Sequence, residues 1–219
     1  HIDVCLLKLK EPLKPGDKII IKTPFDVKIP SNKFSRLGHY KNSYQITQWY
    51  PKPAVYDETG WHPMPYLDMG EFYSEFGSFD VSITLPENYV VGATGDLQTA
   101  KEKDFILEKN QQTKEKKFNY KENSFPASSK NLKSINYKID KAHDFAWFAD
   151  KRYNVLRGEV KLPHSGRTVT TQVMFTNKKA YLWDDAIEYI NDALYYYSLW
   201  YGDYPYDICT AVDGGLAAG

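Results

Sequence analysis

The sequence predicts a mainly β protein: a sandwich-like amino-terminal domain over residues 1–152, then an α+β segment over residues 153–219. Three observations predict it. Short apolar runs alternate with polar residues between glycine and proline turns, the pattern of half-buried strands. Aromatic residues make up 16% of the chain, and flat rings pack well on a pleated sheet. Past residue 152 the texture changes to a hairpin, one long amphipathic helix and one more strand.

Taken in order, "VCLLKL" (4–9) and "KIIIKTPFDVKI" (18–29) read as strands joined through a turn at Pro15-Gly16. "YQITQWY" (44–50) reads as a strand ending at Trp49-Tyr50, because Pro51 and Pro53 forbid regular pairing. A long loop with turns at Asp57 and Gly60 follows. "SFDVSITL" (78–85) places Phe79, Val81, Ile83 and Leu85 on one face, and "YVVGATG" carries the chain to a glycine turn. Residues 100–134 alternate short apolar pairs with charge, so meander hairpins with a solvated face are expected there. "KSINYKI" (133–139) and "DFAWFA" (144–149) close the first domain.

Next, "LRGEVKL" and "TVTTQVMF" flank Ser165-Gly166 and form a hairpin. One helix is expected between an N-cap at Asn177 and a terminal glycine at Gly202. Its stripe of Trp183, Ala186, Ile187, Ile190, Ala193, Leu194 and Tyr197 would face a core. "YDICTAV" adds a strand. A hairpin, a helix and a strand are too few for a domain, so residues 153–219 are expected to open a second domain that is truncated.

Composition excludes some partners as default readings. Twenty-eight basic and 28 acidic residues cancel, which removes the usual signal for nucleic acid or an anionic membrane. No run approaches the ~18 apolar residues of a membrane span. Cys5 and Cys209 make neither a disulfide framework nor a zinc ribbon. H-E-x-x-H, G-x-S-x-G and phosphate-loop patterns are missing from the sequence, so no catalytic or metal-ligating residue is assigned in it. Asp57, Glu58, Asp68, Glu71, Glu75 and Asp80 lie among Trp49, Trp61, Tyr66 and Tyr73, a mixture a sugar site could use. Turn-capping and edge-strand roles explain those acids better. His143-Asp144 has no nucleophile motif to complete a triad.

The segment from Tyr44 to Leu97 resembles the amino-terminal domain of the aminopeptidase N family, zinc metallopeptidases of the gluzincin group. In that family a strand carrying T-Q-x-E/Q leads into a loop with proline and aspartate, then into an amphipathic strand. Here Thr47-Gln48-Trp49-Tyr50, Pro51 to Asp57 and Phe79 to Gly95 occupy those places. "AHDFAWFAD" resembles that domain's last strand, and residues 153–219 resemble the entry into a thermolysin-like catalytic domain.

The resemblance implies a saddle-like β domain and a fragment of a peptidase that cuts at peptide amino termini. It implies zinc in the complete protein, with ligands beyond residue 219 and none in this fragment, which would be inactive. There the metal would activate water, with a glutamate as general base. Gln48 and Tyr50 on the T-Q-x-E/Q strand, and Gly214 and Gly215 on the approach to a G-x-M-E-N-type loop, would bind substrate. Tyr50 departs from the family's acidic or amide residue; a phenol accepts a hydrogen bond but carries no charge at neutral pH. The implied partners are a peptide and the remainder of the catalytic domain, and the implied location is the periplasm, cell envelope or exterior, with the cytoplasm still open. Two alternatives stand beside this: a carbohydrate-binding or adhesion-type β-sandwich, which needs coplanar exposed rings among Trp49, Trp61 and Tyr66, and a non-catalytic scaffold derived from the peptidase.

Overall fold

A computed structural model describes residues 3–33, 36–65 and 72–215. The chain is mainly β. Its elements run β1 (Gly38–Tyr40), β2 (Ser43–Ile46), β3 (Val55–Asp57), β4 (Gly60–His62), β5 (Gly77–Pro86), β6 (Val90–Ala93), β7 (Asp96–Leu97), α1 (Ala100–Lys114), β8 (Leu132–Ala142), β9 (Trp147–Asp150), β10 (Asn154–Lys161), β11 (Thr168–Phe175), a 3-10 helix (Asn177–Leu182), α2 (Ala186–Tyr201) and β12 (Ile208–Val212). Among the described residues no helix is long and apolar enough to cross a membrane. Two compact units are formed, one from His1–Lys28 and Trp49–Glu75, the other from Ile29–Gln48 and Phe76–Gly219. The boundary expected at residue 152 falls inside the second unit, between β9 and β10.

In the first unit the strands expected at 4–9 and 18–29 do not form. Only their turn is present: Asp17 N donates to Lys14 O (3.0 Å), and Lys14 N donates to the Asp17 carboxylate (3.1 Å). Leu6, Ile20 and Ile21 stand exposed, because no strand among the described residues offers these segments a ladder. The proline-flanked segment does contain regular structure. β3 and β4 form a tight antiparallel hairpin with Val55 opposite His62 and Asp57 opposite Gly60.

The second unit holds three sheets. β1-β2-β9-β6 is antiparallel, β5-β8-β7 is antiparallel, and β10-β11-β12 pairs β10 antiparallel and β12 parallel to β11. The strand expected to end at Trp49-Tyr50 pairs only as far as Ile46, two residues short of Gln48. β5 keeps the predicted alternation, with Ile83 and Leu85 buried, and lies along β8 from Gly77 to Pro86.

The largest correction is at residues 100–114, where the expected hairpins are replaced by α1. Glu, Lys, Gln and Leu dominate that stretch and are strong helix formers. Gln112 donates to Glu108 one turn earlier (2.9 Å), and Gln111 pairs with Glu115. Thr99, the N-cap, makes no capping bond; its hydroxyl instead accepts Asn136 N of β8 (2.9 Å). At the other end, Thr113 Oγ1 accepts Val155 N (3.0 Å) and Asn110 Oδ1 accepts Arg157 N (2.9 Å). These side chains satisfy two N–H groups on the outer edge of β10, beside which no strand lies among the described residues. Ile106 enters the core formed by Val90, Tyr153, Val155 and Met174.

The single helix expected from Asn177 to Gly202 is two pieces. A 3-10 turn runs to Leu182, and α2 begins after Asp185 and ends at Gly202. The break lets Trp183 lie flat on Phe175, with ring centroids 6.0 Å apart and planes 9° apart. Leu194 is buried and Ile187 and Ile190 pack inward, but Ala193 and Tyr197 of the expected stripe are exposed. α2 approaches β10 closely at Gly158, where a Cβ would lie 2.5 Å from the Ile187 side chain.

At the end of β9, Asp150 is fully buried and accepts three hydrogen bonds from Arg152. Its Oδ1 accepts Arg152 N (2.8 Å) and Nε (3.0 Å), and its Oδ2 accepts Nη2 (2.6 Å). Arg152 also lies over the Phe125 ring at 3.5 Å. Removing one partner of a buried pair strands the other's charge, so Asp150→Ala is expected to lower unfolding stability by about 3–5 kcal/mol in urea denaturation. Asp80 pairs with Lys138 in water, at 61% and 55% side-chain exposure. Asp80→Asn should therefore leave the urea midpoint nearly unchanged in the same measurement.

Candidate functional site

β2 and β12 deliver the polar groups that can meet an extended ligand. Gln45, in the middle of β2, is 3% exposed, and both polar atoms of its amide are buried with no hydrogen-bond partner. Thr47 Oγ1 and Gln48 Oε1, immediately beyond the strand, are buried and unpartnered as well. Buried polar groups are ordinarily satisfied, and each orphan costs about 1–3 kcal/mol. Gln48 is also held at φ 51°, the left-handed region that side chains with a Cβ avoid. Four orphaned atoms and one strained residue thus fall within four positions.

β12 runs toward this point. After Val212 pairs with Met174, Asp213 N donates to Met174 O (2.7 Å), and the ladder ends. Gly214 then passes over Gln45 so closely that a Cβ would lie 2.9 Å from Gln45 Nε2. A side chain at this position would have to push the Gln45 amide aside. Asn32 Nδ2 donates to Gly215 O (2.5 Å).

Of the four residues predicted to bind substrate, Gly214 and Gly215 are brought to β2, where Gln45 rather than Gln48 lies against them. Gln48 stands beyond the end of that strand. Tyr50 belongs to the other compact unit, where Trp49 meets its ring edge-on at 5.4 Å and Lys52 Nζ lies 5.4 Å from its centroid. Gln45 and Asn32 were not singled out from sequence. A glutamine between Tyr44 and Ile46 looks like an outward-facing strand residue, and only the pairing on both sides of β2 shows that it is buried.

The other candidates have structural roles. Asp57 closes the β3–β4 turn: its Oδ1 accepts Thr59 N (2.8 Å), Thr59 Oγ1 (2.8 Å) and His62 Nε2 (2.8 Å). Those bonds, His62 first and Thr59 second, pull its pKa from 3.8 down to about 2. Asp68, Glu71 and Tyr66 lie outside the described residues. His143 stacks on Phe76 at 3.8 Å, and Asp144 Oδ1 accepts Phe145 N (2.8 Å). Trp61 is 65% exposed and Trp49 half-buried, yet Trp61 and Tyr56 are tilted by 59° and Trp49 and Tyr50 by 67°. Neither pair forms the coplanar platform that sugar stacking needs. A cavity of about 330 Å³ lined by Gly95, Phe148, Tyr204 and Cys209 adjoins β12. Cys209 is partly buried, and that burial raises its thiol above its ordinary pKa.

Among the described residues no group of three or more His, Cys, Asp or Glu is placed to hold a metal ion. The ligands of the zinc that the family resemblance implies are expected beyond residue 219.

No family model matches the chain, and no curated protein matches it. Similar solved structures include a mutant two-domain M1 zinc metallopeptidase bound to L-tryptophan, at 13% identity and TM-score 0.46, covering 86% of this chain and 35% of that one. Another is an M1 zinc metallopeptidase mutant from Deinococcus radiodurans, at 13% identity and TM-score 0.42, covering 81% and 33%. A third, the M1 zinc metallopeptidase from Deinococcus radiodurans, has 14% identity and TM-score 0.38, covering 67% and 28%. The chain spans about a third of the length of these proteins. At such TM-scores the likeness bears on neither fold nor function.

Gln45→Leu removes an orphaned amide and leaves a side chain of similar size, so it is expected to raise the melting temperature by about 2–6 °C. A lower melting temperature would show that the amide is satisfied. For Asp57 the folded pKa lies below the ordinary value, so its contribution is present above pH 3.8 and disappears as pH falls through about 2. An NMR titration of the Asp57 carboxyl should find a midpoint near 2, and His62→Ala should move it back toward 3.8.

Proposed function

We propose that this chain forms one wall of the peptide-binding groove of an aminopeptidase N-like metallopeptidase, with residues 1–152 as its β-rich amino-terminal domain and residues 153–219 as the start of its catalytic domain. The observation that carries the reading is the concentration of unsatisfied polar atoms and backbone strain at Gln45, Thr47 and Gln48. It coincides with the Thr47-Gln48-Trp49-Tyr50 stretch that resembles the family's substrate-binding strand. Costs of this kind cluster where a ligand supplies the missing partner.

The glycines fit the same role. A peptide is an extended chain of alternating donors and acceptors, and it binds by adding to an exposed strand edge. β12 has β11 on one side and no strand on the other among the described residues. Gly214 and Gly215 continue that strand without side chains, so a second backbone can come close. Gln48 would hydrogen-bond the substrate near its amino end. In the family resemblance Tyr50 stands in the place of the acidic or amide residue, and a phenol carries no charge at neutral pH, so a free ammonium group would gain no ion pair from this side chain. Zinc, the rest of the catalytic domain and an envelope or extracellular location are part of the proposal for the complete protein.

The test is hydrolysis by the complete protein of matched peptides with free and acetylated amino termini. Cleavage of free peptides is expected, with weak discrimination against the acetylated ones. Tyr50→Glu should raise the preference for the free amine by about 5- to 30-fold, the worth of about 1–2 kcal/mol of added ion pairing. Failure to cleave any unblocked peptide would overturn the reading.

A further inference from the structure

We propose that Lys179, Thr176 and Asn32 are positioning residues that hold Asp213, Gly214 and Gly215 as a rigid rail for the backbone of a bound peptide. The assignment rests on the peptidase reading above. A pair of glycines has the largest conformational freedom of any two residues and no side chain by which to be anchored. A strand edge attracts a peptide well only if it is already ordered, since disorder must otherwise be removed on binding. The ladder to β11 supplies that order only as far as Asp213, whose N–H bonds Met174 O at 2.7 Å.

Beyond that point three side chains take over from the ladder. Lys179 Nζ donates to Asp213 Oδ1 (2.7 Å) and reaches Gly214 O (3.4 Å). Thr176 Oγ1 donates to Asp213 Oδ2 (3.2 Å), and Asn32 Nδ2 donates to Gly215 O (2.5 Å). The Asp213 side chain is only 7% exposed, so its grip by Lys179 and Thr176 also removes the cost of a bare buried charge. The holders belong to separate parts of the unit. Lys179 and Thr176 come from the 3-10 helix and its N-cap. Asn32 comes from the turn before β1, itself fixed by Asn32 N to His39 O (3.0 Å) and His39 N to Pro30 O (2.9 Å). Two successive glycine carbonyls are thereby held from two sides, and Gln45 lies against Gly214 between them.

Loosening the rail should weaken substrate and transition state alike, which raises KM and leaves kcat. In the complete protein, K179M and N32D are expected to raise KM about tenfold with kcat within about threefold, and K179R to restore KM to within about twofold. In the 219-residue chain, hydrogen exchange at residues 213–215 should quicken about tenfold in both variants. Should K179M not fold, N32D, which is isosteric, carries both measurements. Unchanged exchange, or unchanged KM in a protein that cleaves peptides, overturns the positioning role alone. A complete protein that cleaves no peptide overturns the peptidase reading and the substrate role with it.

Discussion

The buried pair of Asp150 and Arg152 is the constraint on which the rest of the second unit depends. β9 ends at Asp150 and lies between β2 and β6, while β10 starts at Asn154 and leads the other sheet. The turn between them is therefore the joint of two sheets, and a fully buried carboxylate with three bonds to one arginine leaves that joint a single conformation. The pair is costly to desolvate and would be no gain in isolation. Its value is geometric, because β2 belongs to one sheet and β12 to the other. Whatever fixes the β9–β10 turn fixes how the end of β2 meets the end of β12.

The second constraint is how the β10-β11-β12 sheet disposes of its edges. Three strands leave two edges exposed, and exposed edges recruit other strands. The β10 edge is closed by Asn110 and Thr113 of α1, which accept the N–H groups of Arg157 and Val155. Among the described residues the β12 edge has no strand beside it, and at its start the Tyr204 hydroxyl donates to Ile208 O (3.2 Å). One edge is met by a helix and the other has no neighbouring strand, an asymmetry the proposed peptide-binding reading would use.

Much of this was legible in the sequence where alternation and burial agree. β5, β8, β10 and β11 fall where "SFDVSITL", "KSINYKI", "LRGEVKL" and "TVTTQVMF" place them, because each strand has a partner inside the chain. The runs at 4–9 and 18–29 have equally good strand patterns and no partner among the described residues, and a pattern without a ladder is not a strand. Residues 100–114 depart from their pattern for the opposite reason. Apolar pairs such as Phe105-Ile106 separated by charges resemble hairpins, but the helix-forming composition and the Gln112–Glu108 spacing win once Ile106 has a core to enter. Asn177 looks like the better helix cap, yet packing Trp183 on Phe175 moves the start of α2 to Asp185. At the site, the glycines and Gln48 were visible as residue types, whereas the burial of Gln45 depends on strand pairing that no local pattern encodes.

The uneven distribution of cost along the chain carries the functional weight. A non-glycine residue in the left-handed region costs about 1–3 kcal/mol. Each unsatisfied buried polar group costs about as much again. Gathered within Gln45 to Gln48, these terms are comparable with the whole stability margin of about 5–15 kcal/mol that a domain has to spare. Simple replacements would relieve them: glycine accommodates the φ of Gln48, and an apolar residue fills the space of Gln45. A segment shaped for stability alone would carry those residues. On the proposed peptide-binding reading, the amides and the hydroxyl kept there would find their partners when a second backbone lies beside Gly214 and Gly215.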